Sequence, residues 1–420
     1  ATTTSACSPE HRATSWRLFL TLFKCVPFHK SVKKTFKKIA SQLHLWLGVS
    51  SGLVVFIVAL TGSILVFEDE LEPVIYPEFH VVEVPQDQPL LPLDNLRDAV
   101  ARAYPQQRIA RIVIEPRPDR TVLFGLVKGK KEKDVLSVAV NPYTAEIADT
   151  RRENESFFHI VLQLHRYLCL EDTGKAVTGV ATVMFIVIML TGLVLWWPKR
   201  KQTRQRLTVK WNAKFKRLNW DLHAVFGFYV LPFTFLIALT GLVWSYKWVN
   251  SMIFLTFDGK PQQKREAPAN PSLIGTSKPG VLTQINTETN RLLSHPGRIQ
   301  FTLPESDSLS ITISKSNDEA SIANVVDFLY FDQHDGHLIS KRLYVDETSG
   351  MKVRRLVFPI HTGSIWGWPT KILALIVALI TATLPVTGVI IWVGRKFKKE
   401  KKVRKNAAPS PTARAGATVS

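Results

Sequence analysis

The sequence predicts an integral membrane α-helical protein with four core transmembrane helices, arranged as a duplicated unit, and two exported α+β domains. The first observation is that four long stretches contain no charged residue, namely residues 45–67, 176–197, 224–246 and 372–393. At a rise of about 1.5 Å per residue, each stretch forms a helix of roughly 33–35 Å, enough to cross a hydrocarbon core of about 30 Å. The second observation is a pattern of His, Gly and Thr that recurs in these spans. A wholly soluble protein is therefore excluded.

Basic residues determine the predicted orientation of the spans. The chain has 54 Lys and Arg against 34 Asp and Glu, and the excess is concentrated in residues 1–42, 198–219 and 394–420. Each of these segments adjoins a span, and Lys and Arg beside a span favour the cytoplasmic side. Nucleic-acid binding is the rival interpretation of such basic segments. Orientation and contact with anionic lipid already explain the charge, so we expect a lipid bilayer and no nucleic acid as partner.

Four spans with both termini in the cytoplasm divide the chain into nine segments. In order, they are a basic cytoplasmic N-terminal arm (1–42), a first span (43–67), a first exported domain (68–173), a second span (174–197), a basic cytoplasmic loop (198–221), a third span (222–246), a second exported domain (247–368), a fourth span (369–393) and a basic cytoplasmic tail (394–420). Three interpretations of the arm stay open: an amphipathic membrane-surface arm, a targeting segment or a wrongly assigned start.

Each exported segment is long enough to fold on its own. In the first, periodicity predicts a helix at 93–104 and strands near 109–114, 121–128 and 135–140. In the second, strand-like runs lie at 298–303, 309–313 and 325–331. Both segments are therefore predicted to be small α+β units.

The recurring pattern links the first span with the third. In each, a Leu-His dipeptide opens the span, glycine follows four residues later, and the threonine of an Ala-Leu-Thr-Gly motif lies 17 residues after the histidine. The residues are His44, Gly48 and Thr61 in the first span and His223, Gly227 and Thr240 in the third. Hydrophobic composition alone does not hold polar and glycine positions in one register, so the chain is predicted to contain a duplication.

The second and fourth spans share a different pattern. From a histidine just before the span, lysine follows at 10 residues, Thr-Gly at 26 and 27, and tryptophan at 31. The residues are His165, Lys175, Thr191, Gly192 and Trp196 in one half and His361, Lys371, Thr387, Gly388 and Trp392 in the other. Because both halves have the same orientation, the pseudo-twofold axis runs along the bilayer normal. His44 and His223 then share one depth near the cytoplasmic face, and His165 and His361 share another on the exported side.

Opposed histidine pairs in a helix bundle indicate haem sites. An ionisable residue at a span is costly and points to function, and neutral imidazole is a good ligand for iron. Two histidines that fill both axial positions of one iron suit electron transfer and leave no open position for oxygen chemistry. Gly48 and Gly227 lie one turn from their histidines on the same face, where the missing side chain leaves room for a flat macrocycle. The predicted iron ligands are His44, His223, His165 and His361.

Other interpretations of these residues stay open. A single histidine at a helix end is often an interfacial or capping residue. Gly48 with Gly52 forms a GxxxG motif, which is typical of close helix packing. His159 is a reserve candidate for the outer ligand in place of His165, although it lies off that helix face.

Motifs of other chemistries are absent from the sequence. It contains no HExxH, CxxC or Walker A motif, and three cysteines do not make a disulfide framework. His334 and His337 flank an Asp-Gly turn and are candidate metal ligands, but turn chemistry explains the Asp-Gly without a metal.

Several of these residues together resemble a known family. They are the segment Leu43 to Gly48 that opens the first span, the Ala-Leu-Thr-Gly near its end, Leu164-His165-Arg166-Tyr167-Leu168, Asp221-Leu222-His223, and His361-Thr362-Gly363 with Gly367. The set spans about residues 41–396 and resembles the PepSY-associated transmembrane helix family, in particular the bis-haem ferrisiderophore reductases. The resemblance implies two periplasmic PepSY-like domains and two b-type haems held by the four histidines.

The resemblance also implies a function. It predicts a bacterial inner-membrane oxidoreductase that passes electrons across the membrane to a periplasmic ferric siderophore and releases ferrous iron for uptake. A basic tail follows the last span, so we expect the electron donor to be quinol or a separate cytoplasmic reductase. Arg166, Lys175 and Lys371 are candidates to neutralise haem propionates, with interfacial anchoring as the alternative.

Two other classes of function stay open. The first is a non-redox PepSY membrane protein that regulates an exported peptidase, in which the histidines are structural. The second is a transporter subunit, because parallel repeats and kinked spans are also transporter features. Against the second, four spans are few for alternating access.

Overall fold

The computed structural model describes residues 30–129, 135–197, 203–263, 266–271 and 278–407. Parts of the three predicted basic segments therefore lie outside the described residues, namely 1–29, 198–202 and 408–420.

Helices flank a run of four strands in the first half of the chain, up to residue 197. In chain order the elements are α1 (Lys30–Leu65), α2 (Glu68–Ile75), α3 (Pro77–His80), α4 (Leu93–Ala103), β1 (Arg108–Ile114), β2 (Val122–Val127), β3 (Val135–Val140), β4 (Ile147–Arg152), α5 (Phe157–Tyr167) and α6 (Glu171–Trp196). The helix and strands predicted for this segment are confirmed to within one or two residues, whereas β4 was not predicted.

The second half follows a similar order. Its elements are α7 (Thr203–Leu207), α8 (Phe215–Asp221), a π-helical segment (Leu222–Phe226), α9 (Gly227–Ser245), α10 (Lys247–Asp258), α11 (Val281–Leu292), β5 (Ile299–Thr302), β6 (Ile311–Ser316), β7 (Val326–Phe331), β8 (Leu338–Arg342), α12 (Ser349–Thr362) and α13 (Trp368–Ala407). Sequence patterns predicted β5, β6 and β7, but not β8, α10 or α11.

Four helices are long and apolar enough to cross a membrane. They cover Lys34–Leu65, Glu171–Trp196, Phe215–Ser245 and Trp368–Lys396, and the third consists of α8, the π-helical segment and α9. The predicted number of spans is therefore confirmed. α1 and α9 each pack against α6 and α13, so α1 and α9 occupy opposite corners of a four-helix bundle.

All eight strands form one antiparallel sheet. Its order is β4-β3-β2-β1-β5-β6-β7-β8, so each half contributes four adjacent strands. The halves meet where β1 pairs with β5, with Ile112 opposite Phe301. The sequence predicted two exported domains. In the structure the two segments are not separate units, because their strands hydrogen-bond into a single sheet.

Helices α4 and α11 cover one face of the sheet and complete its core. Leu96, Val100 and Ile285 from these helices are fully buried together with Phe124 and Phe301 from the strands. The two strand-bearing segments connect the same ends of the spans, so the sheet lies at one end of the bundle, which we call the sheet side. The opposite end is the terminal side. On the sheet side, α5 and α12 join the last strand of each half to the span that follows.

Candidate functional site: two histidine pairs

The inner pair lies toward the terminal side of the bundle. His44 is part of α1 and His223 is part of the π-helical segment, and their rings approach each other edge to face. The ring centres are 6.2 Å apart and the ring planes are at 89°. A π-helical turn displaces side chains from the ordinary helical register and is frequent at functional sites.

The outer pair lies toward the sheet side. His165 is in the last turn of α5 and His361 is in the last turn of α12. Their ring centres are also 6.2 Å apart, with the planes at 70°. The structure therefore brings together the four histidines that the repeat singles out, in the two predicted combinations. His159 lies elsewhere, where its Nε2 bonds Gln163 at 3.1 Å.

Each ring is held in the same way by a neighbouring span. The Nδ1 atom lies within hydrogen-bond distance of one backbone carbonyl and one threonine hydroxyl on that span. The partners are Ile188 (3.0 Å) and Thr191 (3.3 Å) for His44, Val58 (2.9 Å) and Thr61 (3.1 Å) for His165, Leu384 (3.1 Å) and Thr387 (2.9 Å) for His223, and Ile237 (3.0 Å) and Thr240 (3.0 Å) for His361.

The carbonyl contact decides the tautomer of each histidine. A carbonyl oxygen can only accept, so Nδ1 carries the proton and donates it. The lone pair is then on Nε2, which has no hydrogen-bond partner among the described residues. A metal-binding histidine commonly has this arrangement, with one nitrogen anchored and the other ready to bind.

The glycine after each threonine makes space for the ring. A Cβ atom added at these positions would approach Cε1 of the histidine to 3.0–3.3 Å, which is closer than ordinary van der Waals contact. The glycines are Gly62 beside His165, Gly192 beside His44, Gly241 beside His361 and Gly388 beside His223. The Thr-Gly dipeptide of each span thus holds one histidine ring: the threonine hydroxyl lies within hydrogen-bond distance of it, and the glycine leaves space for it. We call each dipeptide a cradle.

The spacing of both pairs fits a metal ion between two imidazoles. An imidazole nitrogen binds a first-row metal at about 2.0–2.1 Å, and the ring centre lies about 1.1 Å behind it, so the two centres are roughly 6.3 Å apart. The observed separation of 6.2 Å in each pair agrees with this value. Neutral imidazoles on both sides of one iron are the donor set of a bis-histidine haem, so these residues fit that group.

Burial favours the metal-binding form of the outer pair. Burial, together with the neighbouring His361 and Arg166, lowers the pKa of His165 to about 4. The pKa of His361 is also lowered, again mainly by burial. Both rings are therefore neutral near pH 7, which is the state that a metal requires.

The two glycines of the first-span GxxxG motif have different surroundings. A Cβ atom at Gly48 would meet nothing within 4 Å, whereas one at Gly52 would contact Cβ of Pro385 at 3.4 Å. Gly52 therefore serves close packing of α1 against α13, and Gly48 borders open space beside the inner pair. Gly227 in the other half has only the Leu384 side chain nearby, at 3.7 Å.

The predicted cations around the outer pair differ in their partners. The Nζ atom of Lys371 donates to both oxygens of Glu70, at 2.7 and 2.9 Å, so its charge is already neutralised. Arg166 has no acidic partner among the described residues, and its guanidinium lies 5.2 Å from the Tyr167 ring centre. Lys371 is therefore a weaker candidate for binding an anion than Arg166.

A separate group of possible metal ligands lies in the turn between β7 and β8. Asp332, Asp335 and His337 have ligand atoms within 4.8 Å of one another. Nδ1 of His337 lies 2.6 Å from Asp335, and Asp332 accepts the backbone N–H of His334, so the turn itself uses these groups. His334 is buried and is not part of the group.

One contact of the outer pair has no counterpart in the sequence pattern. Trp244 packs edge to face against His361, with the ring centres 5.1 Å apart. Trp244 belongs to neither of the two repeat patterns. The available signal was its position four residues after Thr240, which places both side chains on one face of α9.

The comparison with known protein families agrees with this architecture. The sequence matches the PepSY-associated TM region family over residues 41–395. No curated protein matches the chain. The matched range contains all four spans and both histidine pairs, and the chain belongs to the PepSY-associated transmembrane family.

Proposed function

We propose that this member of the PepSY-associated transmembrane family is an electron-transfer protein that holds two b-type haems, one between each histidine pair. The observation that supports it is the repeated geometry: two pairs at 6.2 Å, each ring anchored through Nδ1. Haem bound in these positions would supply one-electron transfer between the two sides of the bundle.

The protein residues have three tasks in this proposal. The carbonyl and threonine partners keep the proton on Nδ1, so that the lone pair of Nε2 would be available to a haem iron. Each pair would hold its haem iron through two histidines, so no coordination position would be left for oxygen or other small ligands. The apolar spans around each pair would limit the access of water.

We further propose the reaction and its direction. The basic segments at the terminal side favour a cytoplasmic location for it. In a bacterial inner membrane the sheet would then be periplasmic. Quinol or a separate cytoplasmic reductase donates an electron at the terminal side. On the sheet side one electron converts the Fe(III) of a ferric siderophore to Fe(II), which hard oxygen ligands bind less tightly, so ferrous iron is released.

Absorption spectra of the purified protein test the cofactor. We expect low-spin haem bands in the oxidised and dithionite-reduced protein, with about two haems per chain. His223→Ala and His361→Ala should each lose about one haem, from the inner and the outer site respectively. His159→Ala is the matched control and should keep both.

Two outcomes would contradict the proposal. The first is a colourless protein even when hemin is supplied during expression, as a non-redox regulator or a transporter subunit predicts. The second is unchanged haem content in all four single His→Ala variants, which would reject these ligands.

A further inference from the structure

Arg354 carries a half-buried charge that no carboxylate offsets. It lies in α12, seven residues before His361 and therefore on the same helix face. Its Nε donates to Oδ1 of Asn250 at 2.7 Å, which is a neutral group. Burial is the sole cause of its lowered pKa, and no acidic side chain pairs with it among the described residues. A half-buried cation without a counter-ion is costly, so a reason for its presence is needed.

Trp244 connects this arginine with the outer pair. The guanidinium of Arg354 lies over the indole, 5.7 Å from the ring centre. The same indole contacts the ring of His361 at 5.1 Å between centres. An anion bound at Arg354 would thus be separated from an iron ligand by one aromatic ring.

The first half of the molecule shows that the shared scaffold does not require these two residues. The position seven residues before His165 is Phe158, which is fully buried. The position four residues after Thr61 is Leu65. Because the fold accepts apolar side chains at both places, Arg354 and Trp244 serve a purpose particular to the second half.

The neighbouring arginine is a useful contrast. Arg355 is also half-buried, and burial lowers its pKa, but the carboxylates of Glu347 and Asp327 act in the opposite direction. These carboxylates partly offset the charge of Arg355, although the nearby Arg342 opposes them, whereas no carboxylate in the described part of the chain acts on Arg354.

We propose that Arg354, supported by Trp244, binds an anion beside the outer histidine pair. A guanidinium recognises planar oxyanions through paired hydrogen bonds, so the ligand is a carboxylate or a similar oxyanion. Two sources have this chemistry: a propionate of the outer haem, or an anionic group of the ferric chelate. The inference rests on the proposed function. It identifies a residue that would bind either the outer haem or the electron acceptor.

Arg354→Gln tests the proposal, with Arg355→Gln as the matched control and Arg354→Lys as the variant that keeps the charge. Haem content and the reduction potentials are measured first. Reduced protein is then mixed with ferric citrate, which is anionic, or with the neutral ferric tris-acetohydroxamate, and its reoxidation is followed by stopped flow at low salt.

The two sources give different results. If the anion is a propionate, Arg354→Gln weakens retention of the outer haem about 10- to 100-fold, and the inner haem is unchanged. If the anion belongs to the acceptor, both haems stay and the second-order rate constant with ferric citrate falls by about 10-fold or more, while the neutral chelate reacts as before. Arg354→Lys should recover part of the loss in either case.

Equal behaviour of wild type and Arg354→Gln in all these measurements would overturn the inference, and so would the same loss in Arg355→Gln. A colourless wild-type protein is a different result, because it rejects the proposed function. In that case calorimetric titration of the protein with citrate tests Arg354 alone: about 10-fold weaker binding by Arg354→Gln supports the site, and equal affinity rejects it.

Discussion

The inner and outer histidine pairs are held by the same contacts but carried by different elements. His44 and His223 belong to the spans themselves, whereas His165 and His361 end short helices that connect the sheet to the spans. In both cases a carbonyl, a threonine and a glycine of a neighbouring span fix the ring. The cradle is thus independent of the element that delivers the histidine. A change in the sheet-side helices should affect the outer pair and leave the inner pair intact.

The largest effects are expected from filling the cradles. Gly192→Val puts a side chain where Cβ alone would lie 3.1 Å from Cε1 of His44, and Gly62→Val does the same at 3.0 Å from His165. Each ring must move out of its cradle, so each variant should bind about one haem in place of two. The remaining haem should be the outer one in Gly192→Val and the inner one in Gly62→Val, as judged by the reduction potentials.

The control for this comparison lies in the fourth span. A Cβ atom at Gly394 would meet nothing within 4 Å, so Gly394→Val should bind both haems. If the two cradle variants also keep both haems at wild-type affinity, the glycines do not position the rings and the proposed equivalence of the two sites is wrong.

The sequence predicted the spans well because charge is a local signal. It also singled out the four histidines, since the spacings to Thr-Gly recur in both halves. It did not reveal which span holds which ring: His44 bonds Thr191 and His165 bonds Thr61, a reciprocal exchange that depends on packing. Spacing along one span contains no information about its neighbour.

The sheet and the charges near it were harder to predict for a similar reason. Pairing of β1 with β5 joins strands that are far apart in sequence, and each strand alone has the pattern of either an edge or an inner strand. The ion pair between Lys371 and Glu70 likewise joins the two halves. Long-range contacts such as these follow from the bundle geometry, which no local pattern specifies.

An intermediate effect, confined to the outer pair, is expected from the helix that carries His361. Asp258 at the end of α10 accepts the backbone N–H of Gly350 at 2.7 Å and so caps the first turn of α12. Asp258→Ala removes this cap at a cost of about 1 kcal/mol, because a first-turn N–H loses its acceptor. The outer haem should bind roughly 5-fold more weakly, and the inner haem should not change.

Asp258→Asn sharpens this test, because the amide oxygen still accepts the hydrogen bond while the charge is lost. It should recover most of the outer-site affinity, measured by competition with apomyoglobin for haem. If Asp258→Ala weakens haem binding equally at both sites, α12 supports the whole bundle. The two histidine pairs would then not be independent of each other.

The smallest effect is expected at the inner pair, where the two histidines are not supported equally. Nδ2 of Asn219, four residues before His223, donates to the carbonyl of Thr387 at 3.1 Å, and Thr387 itself bonds the ring. The corresponding position before His44 is Ala40, which is buried. Asn219→Ala removes a hydrogen bond worth about 0.5–1.5 kcal/mol, so the inner haem should bind roughly 2- to 10-fold more weakly and the outer haem should be unaffected. Apomyoglobin competition measures both affinities, and an unchanged inner affinity would show that Thr387 holds His223 without help from Asn219.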